Sequence, residues 1–329
     1  MEATVLVTGA NGYTGRNLVR YLASRGTSTR AMYWPPDGEP DFAHERVEHV
    51  AGDLRDEESL KRALDGVSIV HNIAALYRPT NVSNAMFWDV NVEGVRNIVR
   101  LAHEAGVRRF VQCSTIGVHG QVRNPPANED SELKPEDYYQ FTKLKGEEVA
   151  RQLGRELGLG VVIVRPAAIY GPLEDRFLKL PKLLQSGKFV MFGSGEVLYH
   201  FVHVDDLCSA FVRCGERDEA VGNTYIIADD HAITLNRVVE IMCSALDMPV
   251  PTRRLPISVL MAASVLCEFA CKPFGVSPSL HRRRASWFSH TRSFDISKSR
   301  RELGYEPKVP IEAGITEMIR SYKEAGWLR

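Results

Sequence analysis

Over the first half of the chain, short apolar runs alternate with stretches whose apolar residues recur every three or four positions. Thr4-Val5-Leu6-Val7 reads as a buried strand, and Arg16 to Ala23 as a helix with Leu18, Val19 and Leu22 on one face. Strands are expected at Thr27–Tyr33, Arg46–Val50, Val67–His71, Arg109–Gln112 and Val161–Val164. Helices are expected at Glu58–Leu64, Asn91–Ala105 and Tyr139–Leu153. Strands apolar on both sides, separated by amphipathic helices, predict an α/β fold: a doubly wound parallel sheet covered on both faces.

After Pro172 the alternation weakens. Phe177–Gln185 reads as helix, Ser194–Phe201 as turn and strand, and Thr224–Ile227 as strand. Val204-Asp205-Asp206 opens a helix with Asp205 as its expected N-cap, and Thr234 is the candidate cap of another. The expected organisation is a nucleotide-binding domain over residues 1–172, with 202–230 returning to it. Residues 173–201 and 231–329 then form a smaller, mostly helical substrate lobe. The apolar stretch Leu255–Phe269 has two readings. It is expected as a buried helix of that lobe; the alternative is a pocket wall or a surface dipping into a membrane interface, with Arg253, Arg254 and Lys272 beside it.

Charge narrows the partners. Lys plus Arg and Asp plus Glu both number 41, so no basic footprint suggests nucleic acid. Six scattered cysteines lack metal-ligand spacing, so no metal is expected. No leader-like segment precedes the first strand, and no apolar run reaches the about 20 residues that span a bilayer. A cytoplasmic protein is expected, with contact to a membrane surface left open.

Thr8-Gly9-Ala10-Asn11-Gly12-Tyr13-Thr14-Gly15 follows the first strand and opens the first helix. Glycines 9, 12 and 15 suit a tight turn, a close backbone approach to a pyrophosphate, and close helix packing. A dinucleotide, NAD or NADP, is therefore the expected cofactor of a Rossmann-type fold. Asp53, in Gly52-Asp53-Leu54, either accepts from the adenine amino group or caps the next turn. The second strand ends Tyr33-Trp34-Pro35-Pro36 with no acid at its tip. Asp37 can reach the ribose; Arg30 or Arg16 can meet a 2′-phosphate.

Tyr139 and Lys143 stand four apart, on one face of a helix. A hydride moved between nicotinamide and a carbonyl carbon requires a proton moved at the oxygen. A free phenol has a pKa of about 10, and a neighbouring ammonium favours its ionised form. Tyr138 lies off that face. At the end of the fifth strand, Thr115 is the expected donor to the substrate oxygen, with Ser114 as the alternative.

Together these motifs resemble the extended short-chain dehydrogenase/reductases over nearly the whole chain. The resemblance rests further on Val70-His71-Asn72-Ile73-Ala74-Ala75, Asn91-Val92-Glu93-Gly94, Cys113-Ser114-Thr115, Arg165-Pro166 through Tyr170-Gly171-Pro172, and Val204-Asp205-Asp206. It implies that Ala74 and Ala75 line the cofactor cleft, that Pro166, Ala168 and Ile169 run past the nicotinamide, and that Asn91 links helix to sheet. Gly9, Asn11, Gly12, Tyr13, Gly15, Arg30, Asp53, Leu54, Tyr139 and Lys143 complete the expected cofactor contacts; Thr115, Tyr139 and Lys143 are the expected catalytic set. The C-terminal half is similar to the 3β-hydroxysteroid and sterol dehydrogenase branch, implying a secondary alcohol or ketone, steroid- or terpenoid-like, as small-molecule substrate. A nucleotide-sugar epimerase or dehydratase with tightly held NAD is the alternative. UDP-sugar epimerases tend to carry Asn where Ala168 stands, which counts against it, although Arg284 and Arg292 can meet a pyrophosphate. His281-Arg282-Arg283-Arg284 otherwise reads as a solvated loop. A homodimer through helices such as Asn91–Ala105 and Tyr139–Leu153 is expected.

Overall fold

The first strand, β1 (Thr4–Thr8), alternates its side chains between two cores. Val5 and Val7 enter one, Leu6 the other. The computed structural model describes residues 4–77, 82–271 and 286–329. Around β1 lie β2 (Thr29–Tyr33), β3 (Val47–Ala51), β4 (Val67–Asn72), β5 (Arg109–Cys113) and β6 (Gly160–Pro166). With the late strand β11 (Thr224–Ile227) they form one seven-stranded parallel sheet, in the order β11-β6-β5-β4-β1-β2-β3. The order reverses between β1 and β4, which opens a crevice at the carboxyl ends of those strands.

On one face pack α1 (Tyr13–Ser24), through Leu18, Val19 and Leu22, and α7 (Val204–Glu216), through Leu207 and Phe211. The other face carries α2 (Glu57–Leu64), α4 (Gly94–Glu104) and α5 (Tyr138–Leu157). Their Leu60, Leu64, Ile98, Val99 and Ala150 meet Leu6, Val70, Phe110, Val161 and Ile163. Truncating one of these buried leucines to alanine costs about 2–5 kcal/mol.

The remaining elements are α3 (Asn84–Trp88), β7 (Ala168–Tyr170), α6 (Lys179–Gln185), β8 (Met191–Phe192), β9 (Leu198–Tyr199), β10 (Phe201–His203), β12 (Ile233–Thr234), α8 (Leu235–Ala245), β13 (Arg254–Leu255), α9 (Ile257–Cys271), α10 (Ser297–Leu303) and α11 (Ile311–Glu324). Tyr170, Phe201, Leu235, Val239 and Ile319 centre a third core, between β7, β10, α8 and α11.

Three local expectations are corrected. The helix expected from Asn91 starts earlier: α3 runs through a π-type turn, Asp89–Glu93, into α4. That wide turn presents Asn91 to both Leu76 and Thr142, a reason to break regular spacing. The cap of α7 is His203, whose ring accepts from Asp205 N–H, while Asp206 accepts from the N–H groups of Lys308 and Val309. Finally, α9 is not a core helix. Leu260 and Ser264 are buried, but Val259, Met261, Val265, Leu266 and Phe269 are exposed. Lys272 and the basic run 281–284 lie outside the described residues. Thr234 caps α8 as expected, accepting from Arg237 N–H.

Candidate active site

The turn after β1 is built for close approach. Gly9 has φ +70°, and a Cβ there would stand 2.9 Å from the backbone of Ala74. A Cβ on Gly15 would be 2.1 Å from the Gly9 carbonyl oxygen. At Gly12 the space stays open, with only the Gly9 carbonyl oxygen near, at 3.4 Å. Gly12 is also the N-cap of α1 and supplies no capping side chain. The first N–H groups of the helix therefore point to the crevice without a side-chain acceptor, as a bound pyrophosphate requires. These residues fit a dinucleotide.

Behind the turn runs a buried polar chain. Thr8 Oγ1 donates to Asn72 Oδ1 at 2.7 Å and accepts from Ala74 N–H at 3.0 Å. Asn72 Nδ2 donates to Gln112 Oε1 at 2.8 Å, and Gln112 Nε2 to the Cys113 carbonyl at 2.9 Å. Lys143 Nζ donates to that same carbonyl at 2.6 Å. The sheet's own carboxyl ends thus hold the lysine in place. Lys143 is only 4% exposed, and burial lowers its pKa. Asn72 and Gln112 were missed from sequence; their signal is a polar side chain closing an apolar strand.

Thr115 follows β5 and accepts from Gly117 N–H at 3.0 Å, leaving its hydroxyl proton to donate. A Cβ on Gly117 would touch both Thr115 Oγ1 (3.2 Å) and Gln140 (3.1 Å), so Thr115 lies beside the first turn of α5. Ser114 is turned the other way. Its hydroxyl donates to Glu147, which is fully buried and also holds Arg165 at 2.7 Å and Arg151 at 3.0 Å. That network removes Ser114 from the crevice.

The two tyrosines at the start of α5 part company. Tyr138 packs on Phe87 and Phe141, at 6.3 and 5.9 Å between ring centroids. Tyr139 is half-buried and meets Tyr77 edge to face, at 5.0 Å. Arg176 lies over Tyr77 at 5.5 Å, and its Nη2 reaches the Ile169 carbonyl at 3.4 Å. Arg176 is paired with the buried Glu174, whose charge raises its pKa against the effect of burial. Neither Tyr77 nor Arg176 was singled out from sequence: only the fold brings Tyr77 to Tyr139 and Arg176 to Tyr77.

At the adenosine end, Asp53 accepts from the Trp34 indole at 3.1 Å and from Arg55 Nε at 3.0 Å. Arg55 holds its carboxyl below the usual range, although burial opposes this. Asn11 ties the glycine turn to the end of β2: its Oδ1 accepts from Trp34 N–H at 3.0 Å, and its amide donates to Gly38 O. Tyr13 lies with its hydroxyl buried beneath Gly171. Ala74 and Ala75 follow β4, and Pro166, Ala168 and Ile169 carry β6 into β7, all at the same sheet edge.

Two expected cofactor residues face elsewhere. Arg30 sits at the amino end of β2, bonded to Glu48 at 2.8 Å and to the Ala63 and Asp65 carbonyls at 3.0 and 2.6 Å, across the sheet from the crevice. The Leu54 side chain is 3% exposed and packs in the core under Gly94. Of the other candidates, Arg16 reaches the Leu173 carbonyl at 3.4 Å. Arg292 lies 3.9 Å from Glu136, just before α5; Arg284 lies outside the described residues.

A glycine-built helix start beside a Tyr–Lys helix defines a class of dinucleotide-dependent proteins, and comparison with known families agrees. The NAD dependent epimerase/dehydratase family model matches residues 5–228, and the chain belongs to that family. It is 30% identical to sterol demethylase protein B of Methylococcus capsulatus, over 99% of this chain and 100% of that protein. It is 29% identical to 3beta-hydroxysteroid-dehydrogenase/decarboxylase isoform 1 of Arabidopsis thaliana, over 98% and 80% respectively. Among solved structures, a dTDP-glucose 4,6-dehydratase from Streptomyces venezuelae with NAD bound superposes with TM-score 0.80, at 26% identity and 99% of both chains.

Proposed function

We propose that this protein is an NAD-dependent oxidoreductase that interconverts a secondary alcohol and a ketone on an apolar, steroid- or terpenoid-like substrate. The observation that carries the reading is the buried Lys143, one helical turn from Tyr139, held on the Cys113 carbonyl at the end of β5 and linked through Gln112 and Asn72 to Thr8, from which the glycine turn opens. When bound, the nicotinamide accepts or supplies the hydride. Thr115 Oγ1 donates to the substrate oxygen and fixes the reacting carbon in orientation. Tyr139 Oη takes the hydroxyl proton in oxidation and returns it in reduction. The Lys143 ammonium favours the ionised phenol and supplies its remaining N–H groups to the nicotinamide ribose. Phe177 and Trp287, half-buried and backed by the buried Tyr199, offer an apolar wall to a ring system.

NAD is preferred over NADP in this reading. Arg30 is committed elsewhere, Arg55 is neutralised by Asp53, and Asp37 follows the tip of β2. A homodimer through the α3–α5 face is also proposed: Phe141 lies exposed there beside Trp88 and Tyr138. A cytoplasmic setting accords with six cysteines that all carry thiols.

The test is NAD(H) and NADP(H) turnover against hydroxysteroids, terpenoid alcohols and small ketones. Turnover with an apolar alcohol and a preference for NAD is expected. If a cofactor-bound, folded protein turns over none of them, while a UDP- or dTDP-sugar raises its melting temperature and is converted, the sugar-nucleotide reading replaces this one.

A further inference from the structure

The chain leaving β4 is pinned beside the start of α5. Leu76 N–H donates to Asn91 Oδ1 at 2.8 Å, and the Leu76 carbonyl accepts from Asn91 Nδ2 at 3.2 Å. Asn91 Nδ2 also donates to Thr142 Oγ1 at 3.1 Å, and Thr142 Oγ1 donates to the Tyr139 carbonyl at 2.9 Å. Asn91 and Thr142 are both buried. The backbone of Leu76 is thereby bridged to the backbone of Tyr139. The next residue, Tyr77, meets the Tyr139 ring edge to face, at 5.0 Å between centroids.

A second anchor acts on the Tyr77 ring. The Arg176 guanidinium lies over it at 5.5 Å. Glu174, fully buried, accepts from Arg176 Nε at 2.7 Å and from its backbone N–H at 3.0 Å. This segment is tied in turn to α11: the Glu174 carbonyl accepts from Tyr322, and Leu173 N–H donates to Ser321 at 2.9 Å. Both anchors serve a ring that is itself 40% exposed. Little stability is at stake in an exposed side chain, so what the fastening fixes is the neighbour it touches.

Tyr139 needs such a neighbour. It stands second in α5, in the first turn after the cap Asp137. The Thr142 bond fixes its carbonyl but not its two side-chain torsions. Lys143 and Thr115 have their own fixings, on the Cys113 carbonyl and the Gly117 N–H. We propose that Tyr77 is a positioning residue for the proton transfer: its ring holds the Tyr139 phenol in the orientation that reaches the substrate oxygen. The ring does this, not the Tyr77 hydroxyl. The inference rests on the redox reading of the site, and one of its two tests needs no turnover.

That test is the NMR spectrum of NAD-bound protein carrying tyrosine isotopically labelled at Cζ, in which Tyr139→Phe identifies the Tyr139 resonance by its loss. Tyr77→Leu should shift and broaden this resonance at an unchanged melting temperature, and Tyr77→Phe should leave it sharp. The other test is kinetic. Tyr77→Leu should lower kcat by about 10²-fold, the cost of misplacing a reacting group by about 1 Å, with KM and NAD affinity within about threefold. Tyr77→Phe, which keeps the ring, should restore kcat to within about threefold of wild type. In a Tyr139→Phe background, Tyr77→Leu should cost less than threefold, because the group it acts through is gone. The inference is overturned if Tyr77→Leu leaves the resonance and kcat unchanged, or if its cost is equal with and without the Tyr139 hydroxyl. If the wild type turns over no alcohol or ketone, the redox reading fails, and the resonance alone decides whether Tyr77 positions Tyr139.

Discussion

Helices α5 and α9 place their polar and apolar side chains in opposite ways. α5 buries Gln140, Thr142, Lys143 and Glu147; α9 exposes Val259, Val265, Leu266 and Phe269. Buried charge is costly unless paired and hydrogen-bonded, and α5 meets that condition: Glu147 takes Arg165, Arg151 and Ser114, and Lys143 takes the Cys113 carbonyl. Among the described residues, no such compensation serves these apolar side chains of α9. Departures from the burial rule concentrate where a protein acts on something else. One helix is wired to hold reacting groups, and the other leaves apolar side chains exposed.

The comparison breaks first at Tyr139. Tyr139→Phe should lower turnover by about 10²–10⁴-fold, the usual share of a general acid–base group, while NAD affinity by calorimetry stays within about threefold. Glu147→Leu should come next. It leaves Arg165 buried and unpaired, so urea unfolding should report a loss of about 3–5 kcal/mol.

A smaller effect follows from pH. Burial lowers His71 to about 3, and His119 and His200 to about 4, with Arg165 adding to the effect at His119. Folded, these rings stay neutral where the unfolded chain protonates them below about 6.5. Asp229 acts oppositely: burial, aided by Asp206, raises it to about 8, so the folded state keeps a proton that the unfolded chain releases. Near pH 5.5 the four groups give a net uptake of about two protons on unfolding, so stability falls as pH drops from 6.5 toward 4. Denaturant midpoints measured across that range check the sign. The smallest effect belongs to α9. Leu266→Ser should change stability by no more than about 0.5 kcal/mol, because little is buried there to lose. A loss of 2 kcal/mol would mean that the helix is packed after all.

Periodicity carried most of the sheet half. Leu18, Val19 and Leu22 mark one face of α1 in sequence, and the same residues pack on β1. The Tyr139–Lys143 spacing was equally readable, because it lies within one helix. Legibility ended where direction or distance in the chain decided. Arg30 reads as mid-strand in the expected Thr27–Tyr33, but β2 begins at Thr29, so Arg30 stands at its amino end, away from the edge where ligands bind. Tyr77 meets Tyr139, Arg176 meets Tyr77 and Glu174 pairs with Arg176 through long-range packing that no local pattern announces. In α9 the apolar run is continuous, and without a polar face the sequence cannot separate a buried helix from an exposed one.

The central claim is that Tyr139 moves a proton as a hydride passes between nicotinamide and an apolar ketone. Its most direct test supplies 4,4-dideuterated NADH with a panel of ketosteroids and terpenoid ketones, and follows deuterium into the alcohol by mass spectrometry. The wild type should place deuterium on the carbinol carbon, and Tyr139→Phe, still binding NADH, should place almost none. Equal labelling by both proteins would contradict the account.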